Sequence, residues 1–143
     1  MKRKIDVFEY AKDITTAISK GILITTKANK INAMTIGWGS LGIEWGLPIL
    51  GVCGSKSGRD IDKIKELNLT LVEGSQVSVP AIKELPLTLE CKVIYRQTQV
   101  LSEIPADIQN SCYPQDVPST FPMANKDVHI VFYGQIVDAY ILE

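Results

Sequence analysis

The chain has 143 residues, 45% of them hydrophobic, which gives one ordinary domain with a real core and excludes a disordered polypeptide. Its 15 basic and 16 acidic residues nearly cancel, so no general field draws it to nucleic acid or to an anionic membrane, and a subunit that buries surface in an oligomer fits this balance. The start, Met1 to Phe8, lacks the apolar run of a signal peptide, and no segment is long and apolar enough to span a bilayer, so the expected location is the cytoplasm.

Taken in order, Asp6 and Glu9 form a capping-box pattern, and Val7, Ala11, Ile14 and Ile18 follow at helical spacing until Gly21. This predicts an amphipathic helix over 7–19. Ile22 to Thr26 then reads as a strand, and the polar tip Lys27 to Lys30 turns it into a second strand from Ile31 to Ser40. In that second strand Asn32, Met34, Ile36, Trp38 and Ser40 share one face, and the small residues Ala33, Thr35, Gly37 and Gly39 lie with Ile31 on the other. A face so bare lets a planar ligand rest on the backbone; equally, Gly37 and Gly39 can simply bend or bulge a barrel strand.

Leu41 to Gly46 reads as a connection carrying Glu44 and Trp45, and Leu47 to Cys53 as a short apolar strand with Pro48 near its start. Trp38 and Trp45 each suit either stacking on a planar ring or filling a core or interface. The loop Gly51 to Gly58 resembles a phosphate loop only superficially. Ser55 precedes Lys56, and Leu50 stands where the first glycine belongs, which argues against a nucleotide hydrolase. Ser57 and Asp60 instead form a capping-box pattern over a helix of about 58–67, whose N-terminus, with Lys56 and Arg59, suits either an anion or plain solvent.

Short strand or loop segments follow over 69–72 and 77–81. Leu87, Leu89, Cys91, Val93 and Tyr95 then alternate with Thr88, Glu90, Lys92, Ile94 and Arg96, predicting a strand with the first set buried and the second wet. A helix over 102–110 with Pro105 in its first turn, and a shaped loop from Cys112 to Pro122 with three prolines, precede a last strand of about 128–142, broken or bulged at Gly134. No repeat or linker divides the chain, so residues 1–143 are read as a single domain. Cys53, Cys91 and Cys112 are odd in number and lack C-x-x-C spacing, so reduced structural thiols and no metal site are expected. His129 is the sole histidine and carries any acid–base role near neutral pH, though a histidine on a strand also serves purely structural ends. The fold class these elements predict is mainly β: an antiparallel barrel with an amino-terminal helix and one or two short peripheral helices.

Several stretches, in order along the chain, resemble the flavin reductase-like, FMN-binding split-barrel family, flavoredoxin relatives included. They are Lys20 to Thr26, Asn32 to Ser40, Leu41 to Gly46, Cys53 to Asp60 with Asp62 and Lys63, Val79 to Cys91, Tyr113 to Asp116, and His129 to Glu143. The resemblance implies a split β-barrel, FMN as cofactor, NAD(P)H as hydride donor, a homodimer with each flavin at the two-fold seam, and an electron acceptor that is small or a partner protein. It implies contact of the flavin with Asn32, Ala33, Met34 and Thr35 and a role for His129 beside the flavin in placing nicotinamide; Trp38 would then be a stacking partner, and Lys56, Ser57, Gly58 and Arg59 are the remaining candidates for an anion contact. One departure stands out. In the family the strand beginning near Pro48 leads into an arginine- and serine-containing loop that grips the phosphate, then a helix and another strand; here Leu50 passes directly to Gly51. The second expectation is therefore a non-catalytic dimeric split barrel with weak or lost flavin binding.

Overall fold

The computed structural model describes residues 1–54, 63–118 and 126–143. The strands are β1 (Lys2–Lys4), β2 (Ile22–Lys27), β3 (Ile31–Ile36), β4 (Gly39–Glu44), β5 (Leu47–Gly54), β6 (Leu71–Val72), β7 (Ala81–Ile82), β8 (Leu87–Thr98) and β9 (Ile130–Leu142). The helices are α1 (Ala11–Lys20), α2 (Lys63–Glu66), a single 3-10 turn (Leu101–Glu103) and α3 (Ala106–Cys112). All strand pairings are antiparallel, as the alternating patterns require, and the protein is mainly β with peripheral helices.

The long strand β9 is the spine. Its first half pairs with β5 on one side, its second half with β1, and nearly its whole length with β8 on the other. β4 extends this sheet beyond β5, and β2–β3 and β6–β7 form two small separate sheets. The core lies where α1 covers this sheet: Val7, Ile14 and Ile18 pack with Leu50, Ile136 and Ala139. Burying such aliphatic side chains contributes about 1.5–3 kcal/mol each, which holds α1 down although its helix is short.

Several local expectations are corrected. Residues 7–10 are a turn, not helix: the Asp6 side chain accepts from the Phe8 N–H at 2.9 Å, so Asp6 closes an Asx turn and α1 begins only at Ala11. Leu41 to Gly46 is not a connection. Residues 39–44 are β4, which returns as β5 through a two-residue hairpin whose central pair, Trp45 (φ 51°) and Gly46 (φ 72°), is left-handed as a type I′ turn demands. The strand Ile31 to Ser40 is two strands, because the chain leaves the β2–β3 sheet at Gly37–Trp38 and joins the large sheet at Gly39.

That crossing has a steric requirement. A Cβ on Gly39 would lie 2.7 Å from the Gly51 carbonyl oxygen, so only glycine lets β4 approach β5 this closely. The Cys53 N–H donates to the Trp38 carbonyl at 3.1 Å and pins the crossing point.

β8 carries register shifts at Glu90/Cys91 and Val93/Tyr95. They overturn the simple two-face reading of this strand: Glu90, expected wet, is 3% exposed, and Val93, expected buried, is 65% exposed. The helix read over 102–110 is the 3-10 turn followed by α3, with Pro105 as the residue before its first turn. Gly134 does not break β9, being paired with Leu50 and with Val93, but the irregularity read there exists: the Val93/Tyr95 register shift of β8 lies opposite Gly134 and Tyr133. Of the helix read over 58–67, residues 63–66 are α2, and its start lies outside the described residues. Among the described residues no helix is long and apolar enough to cross a membrane.

Candidate functional site

The Gly37–Trp38 crossing leaves the indole of Trp38 at the surface, 40% exposed, with its ring centroid 5.0 Å from that of His129 and 5.9 Å from that of Tyr113. Tyr113 follows α3 as its capping residue, its N–H bonded to the Gln109 carbonyl at 2.8 Å, and is buried. His129 stands one residue before β9 and is also buried. Three aromatic rings from three distant parts of the sequence thus meet in one corner.

Gln99 ties the corner together. Its backbone N–H donates to the His129 carbonyl at 2.9 Å, adding one rung beyond the end of the β8–β9 ladder. Its side-chain oxygen receives the His129 N–H at 3.1 Å and the Tyr113 hydroxyl at 2.8 Å. The Tyr113 oxygen lies 3.1 Å from His129 Nδ1. Burial pushes the His129 pKa down and the Tyr113 pKa up, so at neutral pH both groups are uncharged. The Gln115 side-chain nitrogen donates to the Tyr113 and Lys126 carbonyls, each at 2.8 Å.

Of the residues expected to form a site, the structure brings Trp38 and His129 together. Asn32, Ala33, Met34 and Thr35 lie on β3, where Ala33 is enclosed at 1% exposure, Asn32 and Met34 are half-buried and Thr35 is exposed. The Asn32 side-chain oxygen accepts the N–H of Ala33 at 2.9 Å. Lys56, Ser57, Gly58 and Arg59 lie outside the described residues. Tyr113 and Gln99 were not singled out from sequence as site residues. Tyr113-Pro114 at the head of a proline-rich loop was the available signal, whereas Gln99 has none: its importance comes only from the ladder rung that sets it opposite His129.

Other reactive groups are quiet. The three cysteines are free, and burial, with Glu90 next in effect, pushes the Cys91 thiol up to about 12; burial also raises Cys53, so neither is a ready thiolate. Among the described residues no group of three or more His, Cys, Asp or Glu side chains could hold a metal ion. A cavity of about 220 Å³ lies elsewhere, walled by β2, β5, β8 and the segment around Val77, with Leu23, Leu50, Leu87 and Leu89 among its aliphatic lining. The Glu90 carboxylate at its edge is consumed by the protein's own donors, and the Trp38–His129 corner holds the chemistry-bearing side chains.

A half-exposed indole, edged by a neutral imidazole and a phenol, makes a wall for a planar heteroaromatic ring and supplies a hydrogen-bonding nitrogen beside it. The residues present therefore fit the ring portion of a flavin or nicotinamide.

Comparison with solved structures identifies the fold. An FMN-binding domain of flavin reductases-like enzyme from Shewanella baltica superposes with a TM-score of 0.54 at 11% identity, covering 99% of this chain and 77% of that one. Nitrilotriacetate monooxygenase component B from Bacillus cereus gives a TM-score of 0.54 at 12% identity, covering 98% and 78%. No family model matches the chain. An uncharacterized protein of Archaeoglobus fulgidus is 49% identical over 41 residues, which is 29% of this chain and 23% of that relative's length. The fold is that of the flavin reductase-like proteins, in agreement with the resemblance in the sequence.

Proposed function

Proceeding from this flavin reductase-like fold, we propose that the chain binds FMN and works as an oxidoreductase, taking hydride from NAD(P)H and passing electrons to an acceptor, either a small molecule or a partner protein. The observation that carries the reading is the Trp38–His129–Tyr113 corner, set in a fold shared along 99% of the chain with an FMN-binding domain. Bound FMN would supply the redox chemistry, accepting two electrons as hydride and releasing them to the acceptor. The protein's own part is to orient and to exclude. Trp38 would offer the flat wall, Asn32, Ala33, Met34 and Thr35 of β3 would contact the ring, and His129 would offer a nitrogen to the carboxamide of the nicotinamide. Lys56, Ser57, Gly58 and Arg59 are proposed for the anionic end.

We propose a homodimer in the cytoplasm, the second copy covering the exposed apolar face of Ile43, Trp45, Val93 and Tyr95, where the Trp45, Tyr95 and Tyr133 rings already cluster within about 6 Å of one another. Light scattering tests this: a monomer at working concentration removes the shared site.

A specific observation favours a second reading, a dimeric split barrel that binds flavin weakly and does no catalysis. β5 runs unbroken through the Leu50–Gly51 junction, Leu50 pairing with Leu41 and Gly134, and Gly51 with Ser40 and Tyr133. A phosphate-gripping loop at this point would interrupt both ladders. Purified protein that emerges yellow, or that oxidises NADH when FMN is added, supports the enzyme. Colourless protein that ignores FMN and leaves NADH untouched selects the second reading.

A further inference from the structure

We infer that Gln99 and Tyr113 are positioning residues that fix His129 in one tautomer, with the proton on Nδ1 and the lone pair on Nε2, so that the ring meets its ligand only as a hydrogen-bond acceptor. The argument is one of donors and acceptors. The His129 backbone N–H can only donate, so the Gln99 atom facing it at 3.1 Å is the amide oxygen. That oxygen can only accept, so the Tyr113 hydroxyl 2.8 Å away gives it its single proton. The Tyr113 oxygen then has only lone pairs to offer His129 Nδ1 at 3.1 Å, and the ring must supply the hydrogen. A neutral ring with Nδ1–H carries its free lone pair on Nε2.

The consequence is a choice of ligand chemistry. An acceptor nitrogen beside Trp38 suits an uncharged N–H donor, such as a primary amide or a ring N–H, and gives nothing to a carboxylate or phosphate. The link to a ligand rests on the nicotinamide reading above; the tautomer does not.

Because His129 is the chain's one histidine, a long-range proton–nitrogen correlation spectrum of ¹⁵N-labelled protein reports both ring nitrogens without ambiguity. The expected spectrum has a protonated, pyrrole-like Nδ1 and a pyridine-like Nε2. In Gln99→Leu the Tyr113 hydroxyl loses its acceptor and turns its proton to Nδ1, so the two signals exchange character. Gln99→Glu, which keeps an acceptor oxygen there, retains the wild-type pattern. A ring that merely fills space would change neither way. Wild-type protein showing Nε2–H overturns the inference, as does a folded Gln99→Leu protein whose ring signals stay put; should that variant not fold, the wild-type spectrum alone decides. Titrating the FMN-supplemented protein with NADH is expected to shift Nε2 and leave Nδ1 protonated, whereas loss of the Nδ1 proton overturns the assignment. An Nδ1–H ring that NADH leaves unmoved sinks the nicotinamide reading and keeps the role of the pair.

Discussion

Glu90 and His129 are both buried titratable groups along the β8–β9 seam, and they are served in opposite ways. Both Glu90 oxygens are taken up: the backbone N–H groups of Ser75, Gln76 and Val77 donate at 2.6, 2.6 and 3.1 Å, and the Tyr140 hydroxyl at 2.7 Å. His129 has one ring nitrogen engaged by Tyr113. The difference separates structure from chemistry. A carboxylate consumed by four donors is a clasp holding the 75–77 turn to the sheet, and has no valence left for a ligand. An imidazole held by one nitrogen is oriented and still able to act.

The largest effect expected from breaking this contrast is at Glu90. Glu90→Ala leaves the N–H groups of Ser75, Gln76 and Val77 and the buried Tyr140 hydroxyl without their charged acceptor, and should lower unfolding free energy by roughly 3–5 kcal/mol in a denaturant titration. Gly74→Ala attacks the same clasp from its other side, since a Cβ there would lie 2.3 Å from the Val77 carbonyl oxygen and 2.7 Å from that of Val79. A loss of about 1–3 kcal/mol is expected. Equal stability of Gly74→Ala and wild type would show that the turn is not held as described.

At the other region the expected effect moves from stability to binding. Trp38→Ala removes a side chain that is 40% exposed, so melting should change little, while FMN or NADH affinity, measured by fluorescence quenching, falls by about tenfold. A large loss of stability with unaltered affinity would assign the indole to packing instead.

The smallest expected effects are in pH, and their signs follow from the shifts. Burial alone would raise the Glu90 pKa, but the donors from Gln76, Ser75, Tyr140 and Val77 outweigh it and hold the group below its ordinary 4.5. Its contribution is therefore complete above pH 4.5 and is lost as pH falls through the folded value. His129 is lowered by burial from 6.5, so below that pH the unfolded chain takes up a proton that the folded ring resists. Stability should decline as pH drops from 6.5 toward the folded value, and His129→Gln should flatten that part of the curve; a slope unchanged by the substitution would mean the ring is not sheltered.

Much of the architecture was legible because strand and helix periods are local. Leu47 to Cys53 and the long terminal strand announce themselves by composition, and the antiparallel mainly β fold follows from their spacing. What misled were local patterns overruled by neighbours. The capping-box pair Asp6 and Glu9 has the right spacing, but Asp6 spends its oxygen on Phe8. Glu90 reads as a wet residue in an alternating strand, and only the register shift at Glu90/Cys91 together with the donors of a distant turn explains a carboxylate at 3% exposure. Trp38 and His129 were visible as residue types worth watching. The resemblance set both beside one ligand; how they meet was not legible, because it depends on the chain changing sheets at Gly37–Trp38, where Gly39 tolerates the close approach of Gly51.

The double pairing of β9 carries a consequence for motion. Amides near Gly134, clamped between Leu50 and Val93, belong to the stretch that opens last, and hydrogen exchange there should be among the slowest in the molecule. His129 sits at the end of that stretch, one rung past the ladder, joined through Gln99. Replacing Gln99 should therefore speed exchange at His129 and leave the Gly134 amides as slow as before, since the rung it supplies lies outside the doubly paired stretch.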